Sequence, residues 1–500
     1  MSTTDHDNDP HHVDDDAPGP PISVPDSGDT GEGGKIKMIV QLVKKCLGVK
    51  DIAAMRLSLP ASLLEPIPNL EYWNYLDRPD FFAAINESDD PFIRMLSTVR
   101  FTFTKDLKFV HGKVCKPYNS VLGEHFRAHW DITPAVFQID DDTTTTYASE
   151  SASIKSGKSS KSTLSSTKRK SISTAATSLD DEQTKPGSVR VIYLTEQVSH
   201  HPPVSAYFAS CPSRSLNMSG IDQISAKVSG TTLRVSPGQF NQGIFINITG
   251  GPGEGERYHI THPIASVNGI LRGSFYVTVG ESTIITCEGG KPGHKFRTII
   301  EYKEESWLGR AHFLVEGIIH TVFDSDANHC AEWTKVKHVP KDRVVAVFDG
   351  TWRGHMRWKR VGTGIREASY SKADFGASDG EWMTLIDLSV LGVMPKTVRP
   401  LEKQHPRESR KLWETVTDNL TKKEFSEATK EKVNIEQRQR EEAAERKRKG
   451  IEFVPRYFEK ELDDGYAALT QEGLAAVDEE LQEDTSYCIE GVDVAAHLEA

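Results

Sequence analysis

The chain has 500 residues, with 60 Lys+Arg against 72 Asp+Glu for a formal charge of −12, and six cysteines without CxxC spacing. That balance argues against a nucleic-acid binder, and apolar runs the size of Val344–Phe348 fall far short of the ~18 residues of a membrane span. The scattered cysteines suit reduced cytosolic thiols better than a disulfide frame or a zinc site.

In chain order, residues 1–34 are Asp-, Pro- and Gly-rich and are expected to be a disordered acidic stretch, with nothing resembling a signal peptide. Lys35 to Leu47 reads as a short amphipathic helix: Ile36, Ile39, Val40, Val43 and Leu47 fall at helical spacing, Lys37, Lys44 and Lys45 lie off that stripe, and Gly48 suits the stop. Such a helix serves either as core packing or as a lid or membrane-surface helix. Helical stretches are predicted around Asn69–Tyr75 and Asp90–Thr102. From Phe126 onward strand signals dominate, at His125–Asp131, Arg190–Leu194, Ala206–Ala209, Ser225–Val235, Ile244–Ile248, Ile270–Val279, Thr283–Cys287, Phe296–Tyr302, Ala311–Val315 and Val344–Phe348. Helices return at Pro406–Asp418 and Lys422–Lys449. Residues 141–188, rich in Ser, Thr and Lys, are expected to be a disordered insertion between two strands.

The charge is unevenly spread along this plan. Residues 1–34 carry nine acids and 461–500 twelve, neither with any Lys or Arg, which leaves 35–460 with 60 basic and 51 acidic side chains, a net of +9. The body is therefore expected to meet an anionic partner, with 461–500 as an acidic tail outside it. At 426 residues the body exceeds the ~250–300 at which one solid core stops growing, and no linker divides its strands. An α+β fold, a large antiparallel β-barrel enclosing a ligand cavity, resolves that conflict.

Two catalytic patterns are set aside. Gly376–Gly380 matches GxSxG, but the polar stretch before it is no nucleophile-elbow strand, and Asp374-Phe375-Gly376 lacks the companions of a kinase DFG. The chain is not expected to be an enzyme. The run Glu196-Gln197-Val198-Ser199-His200-His201-Pro202-Pro203 is more informative. Adjacent histidines on an extended segment point to opposite faces, so a shared metal is awkward. They serve either as rings satisfied at a strand end or as N–H donors to an anion.

That octapeptide is the signature of the oxysterol-binding protein family of lipid-transfer proteins, which the chain resembles from about residue 36 to 460. Lys116–Glu124 resembles the family's KPFNPxLGE element, with Tyr118 for Phe and Ser120 for Pro; Leu57–Phe82, Glu408–Trp413 and Pro455–Phe458 resemble further segments. Lys432, Glu436 and Arg440 share one helix face at i, i+4, i+8 and match the family's head-group face. The resemblance implies a near-complete barrel around a hydrophobic tunnel over 35–460, with a lid at 35–56 whose apolar face carries Ile36, Ile39, Val40, Val43 and Leu47, and a helical C-terminal part at 400–460. It implies a phosphoinositide head-group site of Lys116, Asn119, His200, His201, Lys432, Glu436 and Arg440, with sterol and phosphatidylinositol 4-phosphate as ligands and no cofactor or metal. The implied function is exchange of those two lipids between cytosolic membrane leaflets; the alternatives are exchange of phosphatidylserine for phosphatidylinositol 4-phosphate, or lipid sensing without transfer. A monomer is expected, cytoplasmic, binding anionic membrane surfaces such as Golgi or endoplasmic reticulum transiently and no nucleic acid. The pleckstrin-homology domain and ankyrin repeats of longer relatives have no counterpart in 1–34, as in the short fungal-type form.

Overall fold

The computed structural model describes residues 22–23, 32–55, 57–111, 116–137, 187–230, 232–269, 276–293, 295–303, 311–323, 330–361 and 381–483. The expected insertion at 141–188, apart from its last two residues, lies outside them, as do the two discarded catalytic patterns and most of 1–34.

A parallel pair, β1 (Ile22–Ser23) and β2 (Leu57–Ser58), precedes the main strands. These are β3 (His125–Ile132), β4 (Val189–Ser199), β5 (Val204–Cys211), β6 (Leu216–Asp222), β7 (Ile224–Ser229), β8 (Thr232–Pro237), β9 (Ile244–Ile248), β10 (Glu256–Ile260), β11 (Ile264–Asn268), β12 (Tyr276–Gly280), β13 (Ser282–Gly289), β14 (Lys295–Tyr302), β15 (Leu314–Val322), β16 (Val344–Thr351), β17 (His355–Arg360) and β18 (Met383–Asp387). Twelve form one antiparallel sheet in the order β18-β17-β16-β15-β14-β13-β10-β9-β6-β5-β4-β3. The pairs β7/β8 and β11/β12 are interpolated into that meander and form a second, four-stranded sheet, β12-β11-β8-β7.

The two ends of the large sheet nearly meet. In β3, His129 N donates to Thr397 O at 3.0 Å and its carbonyl accepts from Thr397 N at 2.8 Å, while His125 N donates to Arg407 O at 3.1 Å. The chain leaving β18 thus runs along the free edge of β3, and an irregular segment closes the near-complete barrel.

The interior is filled from one side by a helix. Asp90 caps it, accepting from Phe92 N at 2.7 Å, and Pro91 occupies its first turn. Pro91–Thr104 is buried almost all round, as expected of a helix surrounded by core. Its Phe92 meets Phe296 and Trp358, Phe103 meets Phe348, Arg94 pairs with Glu256, and Arg100 Nε donates to Leu385 O at 2.9 Å. One helix therefore touches β10, β14, β16, β17 and β18, which makes the core continuous around the barrel.

Two expectations are corrected at the ends. The N-terminal helix α1 runs Glu32–Cys46, not 35–47, and buries Met38 and Cys46, with Leu42 packed between them, at i, i+4, i+8. Ile39, Val40 and Val43 are only half-buried, Leu47 lies past the helix end and is 56% exposed, and the Ile36 side chain is outside the described residues. The stretch is apolar enough to carry two overlapping stripes, and the partner surface selects the other one.

Residues 461–483 are not a tail outside the fold. After helices α2 (Ser409–Leu412), α3 (Glu414–Thr421) and α4 (Phe425–Lys449), a further helix α5 (Gln471–Gln482) packs Ala476 and Val477 against Ile192, Leu194, Val198 and Val204. Its acids face arginines: Glu479 pairs with Arg127 at 2.6 Å and Arg399 at 3.1 Å, and Glu480 with Arg399 at 3.0 Å and His129 Nδ1 at 2.7 Å. Arg190 Nη1 closes the helix end by donating to the carbonyls of Glu480, Leu481 and Glu483. Residues 35–483 hold 60 basic and 59 acidic side chains, so most of the body's apparent excess is balanced inside the fold.

Candidate functional site

Three stretches distant in sequence join where the barrel meets the C-terminal helices. The first is the turn 116–124. Tyr118 is buried against Trp413, ring centroids 4.9 Å apart, with Oη 2.9 Å from Thr417 Oγ1. Glu124, also buried, accepts from Val121 N at 3.0 Å, Trp413 Nε1 at 3.0 Å and Ser409 Oγ at 2.7 Å. Gly123 has φ +76°, and a Cβ there would stand 3.3 Å from the Phe453 ring, so the position favours glycine on both counts. Lys116 Nζ donates to Asn119 Oδ1 at 2.6 Å and to Pro117 O at 2.9 Å. The two head-group candidates on this turn therefore stand side by side.

The second stretch is the end of β4, tied to that turn by Gly123 N to Gln197 O at 2.9 Å and Gln197 N to Glu124 O at 2.8 Å. The ladder with β5 shifts register between Gln197 and Ser199, and residues 200–203 form a turn. The His200 and His201 rings consequently lie edge to face, centroids 4.4 Å apart. They do not point to opposite faces, because strict alternation ends with the strand. Glu196, just before, accepts from Arg456 N at 2.8 Å and Tyr457 N at 2.7 Å, which fixes the 455–458 segment.

The third stretch is α4. Its Ala428 and Ile435 pack with Leu59, Ala61, Leu64, Tyr118, Val121 and Trp413. Lys432 lies on the same face, 4% exposed, with Nζ 2.7 Å from Glu436 Oε1. One turn on, the half-buried Arg440 guanidinium donates to Gln437 Oε1 at 3.1 and 2.9 Å, not to Glu436. Arg407 pins the helix to the first turn: it pairs with Glu442 at 2.7 Å and donates to Leu122 O at 2.8 Å. All seven expected head-group residues thus sit on three elements, of which the 116–124 turn is bonded to the end of β4 and packed against α4. Sequence reading passed over Glu124, Glu196, Trp413 and Arg407, which hold those elements together, although the first three lie inside the segments that carry the resemblance.

An apolar wall adjoins this polar group. The register pairs Ala226 with Val235, Val228 with Leu233, and then Ala265 and Val267 with Val279 and Val277, so one face of the four-stranded sheet carries eight apolar side chains. Helix α1 covers the β7/β8 half through Leu42 and Cys46, and Ile52 N donates to Ala226 O at 2.6 Å. On the β11/β12 half, Ala265, Val267, Val277 and Val279 stay half-exposed. Leu42 also packs against the cluster of Ala428 and Ile435, so it links wall and polar group. Near the wall, Tyr75 Oη donates to Asp222 Oδ1 at 2.6 Å and stacks on His262. Burial pushes Asp222 up to about 7 and His262 down to about 3.

Glu124 gives the site a pH signature. Burial raises it to about 7 from an ordinary 4.5, against the lowering effect of its three hydrogen bonds. A raised carboxyl contributes stability that is fully present below 4.5 and lost as pH rises through about 7. Between about pH 5 and about pH 8 the site is expected to lose on the order of 3 kcal/mol. Urea midpoints across that range should fall less steeply in Glu124→Gln than in the wild type, Asp222, also raised to about 7, supplying a fall common to both; equal slopes would sink the assignment.

Among the described residues no group of three or more His, Cys, Asp or Glu is placed to hold a metal, and no helix is long and apolar enough to cross a membrane. Residues 38–425 match the family model described as oxysterol-binding protein. Over 91% of its length the chain is 37% identical to Oxysterol-binding protein-like protein 1 of Schizosaccharomyces pombe, covering 92% of that protein. It is 30% identical over 82% of its length to human Oxysterol-binding protein-related protein 11, covering 46% of it. The crystal structure of the Osh1 ORD domain in complex with ergosterol aligns with a TM-score of 0.56 at 19% identity, over 89% of this chain and 90% of that one. The Osh3 ORD of Saccharomyces cerevisiae in complex with PI(4)P aligns with a TM-score of 0.52 at 16% identity, over 89% and 93%. The large barrel-like sheet with its flanking helices is the fold of those domains.

Proposed function

Because the chain belongs to the oxysterol-binding protein family, we propose that it extracts sterol and phosphatidylinositol 4-phosphate, one at a time, and exchanges them between the cytosolic leaflets of membranes. The observation that carries this reading is the adjacency of a cationic, histidine-bearing group to a half-covered apolar wall, with Leu42 of α1 touching both. A phosphoinositide needs several cationic donors around a compact ring and a dry space for its acyl chains. Lys116, Lys432 and Arg440 supply the charges, His200 and His201 N–H donors, and Asn119 and Glu436 polar contacts to the inositol hydroxyls. At rest Glu436 balances Lys432, and an arriving phosphate takes over that partner. A sterol uses the apolar wall alone, which makes the two cargoes mutually exclusive. Ergosterol and PI(4)P in the Osh1 and Osh3 domains support this pairing. No covalent step is involved.

Replacing His200 and His201 together by Ala is expected to abolish extraction of phosphatidylinositol 4-phosphate from liposomes while sterol extraction largely survives. Equal loss of both lipids would defeat the separate-site assignment. A donor-to-acceptor liposome assay with sterol, phosphatidylserine and phosphatidylinositol 4-phosphate tests the pair itself. Movement of phosphatidylserine instead of sterol would replace the second cargo, and binding without movement would make the protein a sensor.

A further inference from the structure

Where α4 ends, the chain exposes charge and apolar surface together. The last helical turn reads Arg446-Lys447-Arg448-Lys449, and Gly450 closes it in the left-handed conformation at φ 64°. Cations there complement the helix dipole, which accounts for their sign. The dipole does not account for the apolar residues beyond Gly450: Ile451 is 56% exposed and Val454 64%, with Phe453 half-buried between them beneath the Arg446 guanidinium. Residues 446–460 hold six Lys+Arg against two Glu. Of the nearby acids, Glu445 pairs with Lys449 at 2.7 Å and with Arg448 at 3.9 Å, Glu452 with Lys460 at 3.1 Å and Glu472 with Arg456 at 2.6 Å, so cations outnumber acids at the helix end. The segment also borders the polar group, since the Phe453 ring lies against Gly123 of the 116–124 turn.

We infer that residues 446–454 are a docking surface for an anionic bilayer, with the cations of the helix end on lipid phosphates and Ile451 and Val454 inserted at the head-group level. The occupant is argued from charge complementarity together with two exposed aliphatic side chains three residues apart, a pairing that suits a surface anionic outside and apolar beneath. The inference rests on the lipid-transfer reading and adds to it the face that meets the membrane, beside the residues proposed for the head group.

The test is flotation of the full chain with vesicles of phosphatidylcholine alone and of phosphatidylcholine with about 30 mol% phosphatidylserine. Binding is expected to the anionic vesicles and to weaken as salt is raised. Replacing Arg446, Lys447, Arg448 and Lys449 by Gln should reduce it at least about tenfold. The paired Ile451→Ser and Val454→Ser change should reduce it without altering the salt dependence. Arg446→Lys with Arg448→Lys keeps the charge and should retain binding, which separates lost contact from lost folding. Wild-type and variant chains floating alike would overturn the inference, and a wild type that ignores both vesicles would reassign the patch to a protein partner. Water-soluble short-chain phosphatidylinositol 4-phosphate, measured in parallel, should bind every variant equally. If the wild type does not bind it while docking still depends on 446–454, the exchange reading fails and the docking surface stands.

Discussion

A chain ending at Lys460 is expected not to hold its native fold, and the single change Glu480→Ala to cost about 3–5 kcal/mol. Glu480 is 2% exposed and shares its carboxylate between His129 Nδ1 and Arg399 Nη2, at 2.7 and 3.0 Å. Its removal takes a buried carboxylate from the His129 imidazole and from Arg399, which keeps Glu479 and Glu483 at 3.1 and 3.4 Å, next to Arg127, whose remaining partners are Glu408 and Glu479. Truncation goes further, uncovering Ile192, Leu194 and Val198 on the outer face of β4. Burial alone would raise Glu480, but the bond from His129 and the charges of Arg399 and Arg127 hold it below the ordinary carboxyl range. A lowered carboxyl contributes stability above its unfolded value, near 4.5, which is lost as pH falls through the folded value. Urea unfolding at neutral pH and under acid should therefore show the gap between wild type and Glu480→Ala closing at low pH. A truncated chain with wild-type unfolding would overturn the account of 461–483 as part of the fold.

Removing Glu32–Lys50 is expected to slow lipid transfer at least about tenfold, a barrier change of about 1.4 kcal/mol. Burying one large apolar side chain is worth ~1.5–3 kcal/mol, and α1 contributes Met38, Leu42 and Cys46 to covered surface. Without it the β7/β8 half of the apolar wall opens to water, and a lipid lying on that wall loses its cover. Binding of a water-soluble short-chain phosphoinositide should survive, because the residues proposed for its head group lie on other elements. Leu42→Asp places a charge between the two clusters that Leu42 joins and should act in the same direction in an intact chain. Undiminished transfer in both variants would remove the lid role.

Much of the barrel is legible in the sequence because its strands alternate or run β-branched, as at Ile244–Ile248 and Phe296–Tyr302. The strands that escape such reading, Leu216–Asp222, Glu256–Ile260, Ile264–Asn268, His355–Arg360 and Met383–Asp387, are five to seven residues long. Even the alternation of His355–Arg360, which buries Met356 and Trp358, is too short and too charged to stand out before its ladder neighbours are in place. Spacing places Lys432, Glu436 and Arg440 on one face, but not the burial of Lys432, which depends on a cluster assembled from residues 59–64, 118–121 and 413. Composition misreads 461–483 for a related reason. A count of acids cannot distinguish Glu480 pointing at Arg399 from the same residue in water. The expectation for the histidine pair fails because it takes extended backbone to continue past Ser199.

Ile132 and Val189 face each other across the β3–β4 ladder, so the 56 residues between them leave and rejoin the sheet at a single rung. In topological terms that whole stretch is the loop of one hairpin, and the barrel needs only that its ends meet. The cost of bringing two chain ends together rises only logarithmically with the number of residues between them, by about 0.6 kcal/mol per doubling, so that number hardly bears on the register of the two strands. This rung is where the chain can take up or shed sequence, or accept a foreign reporter, while the distant 116–124 turn and the wall under α1 keep their geometry.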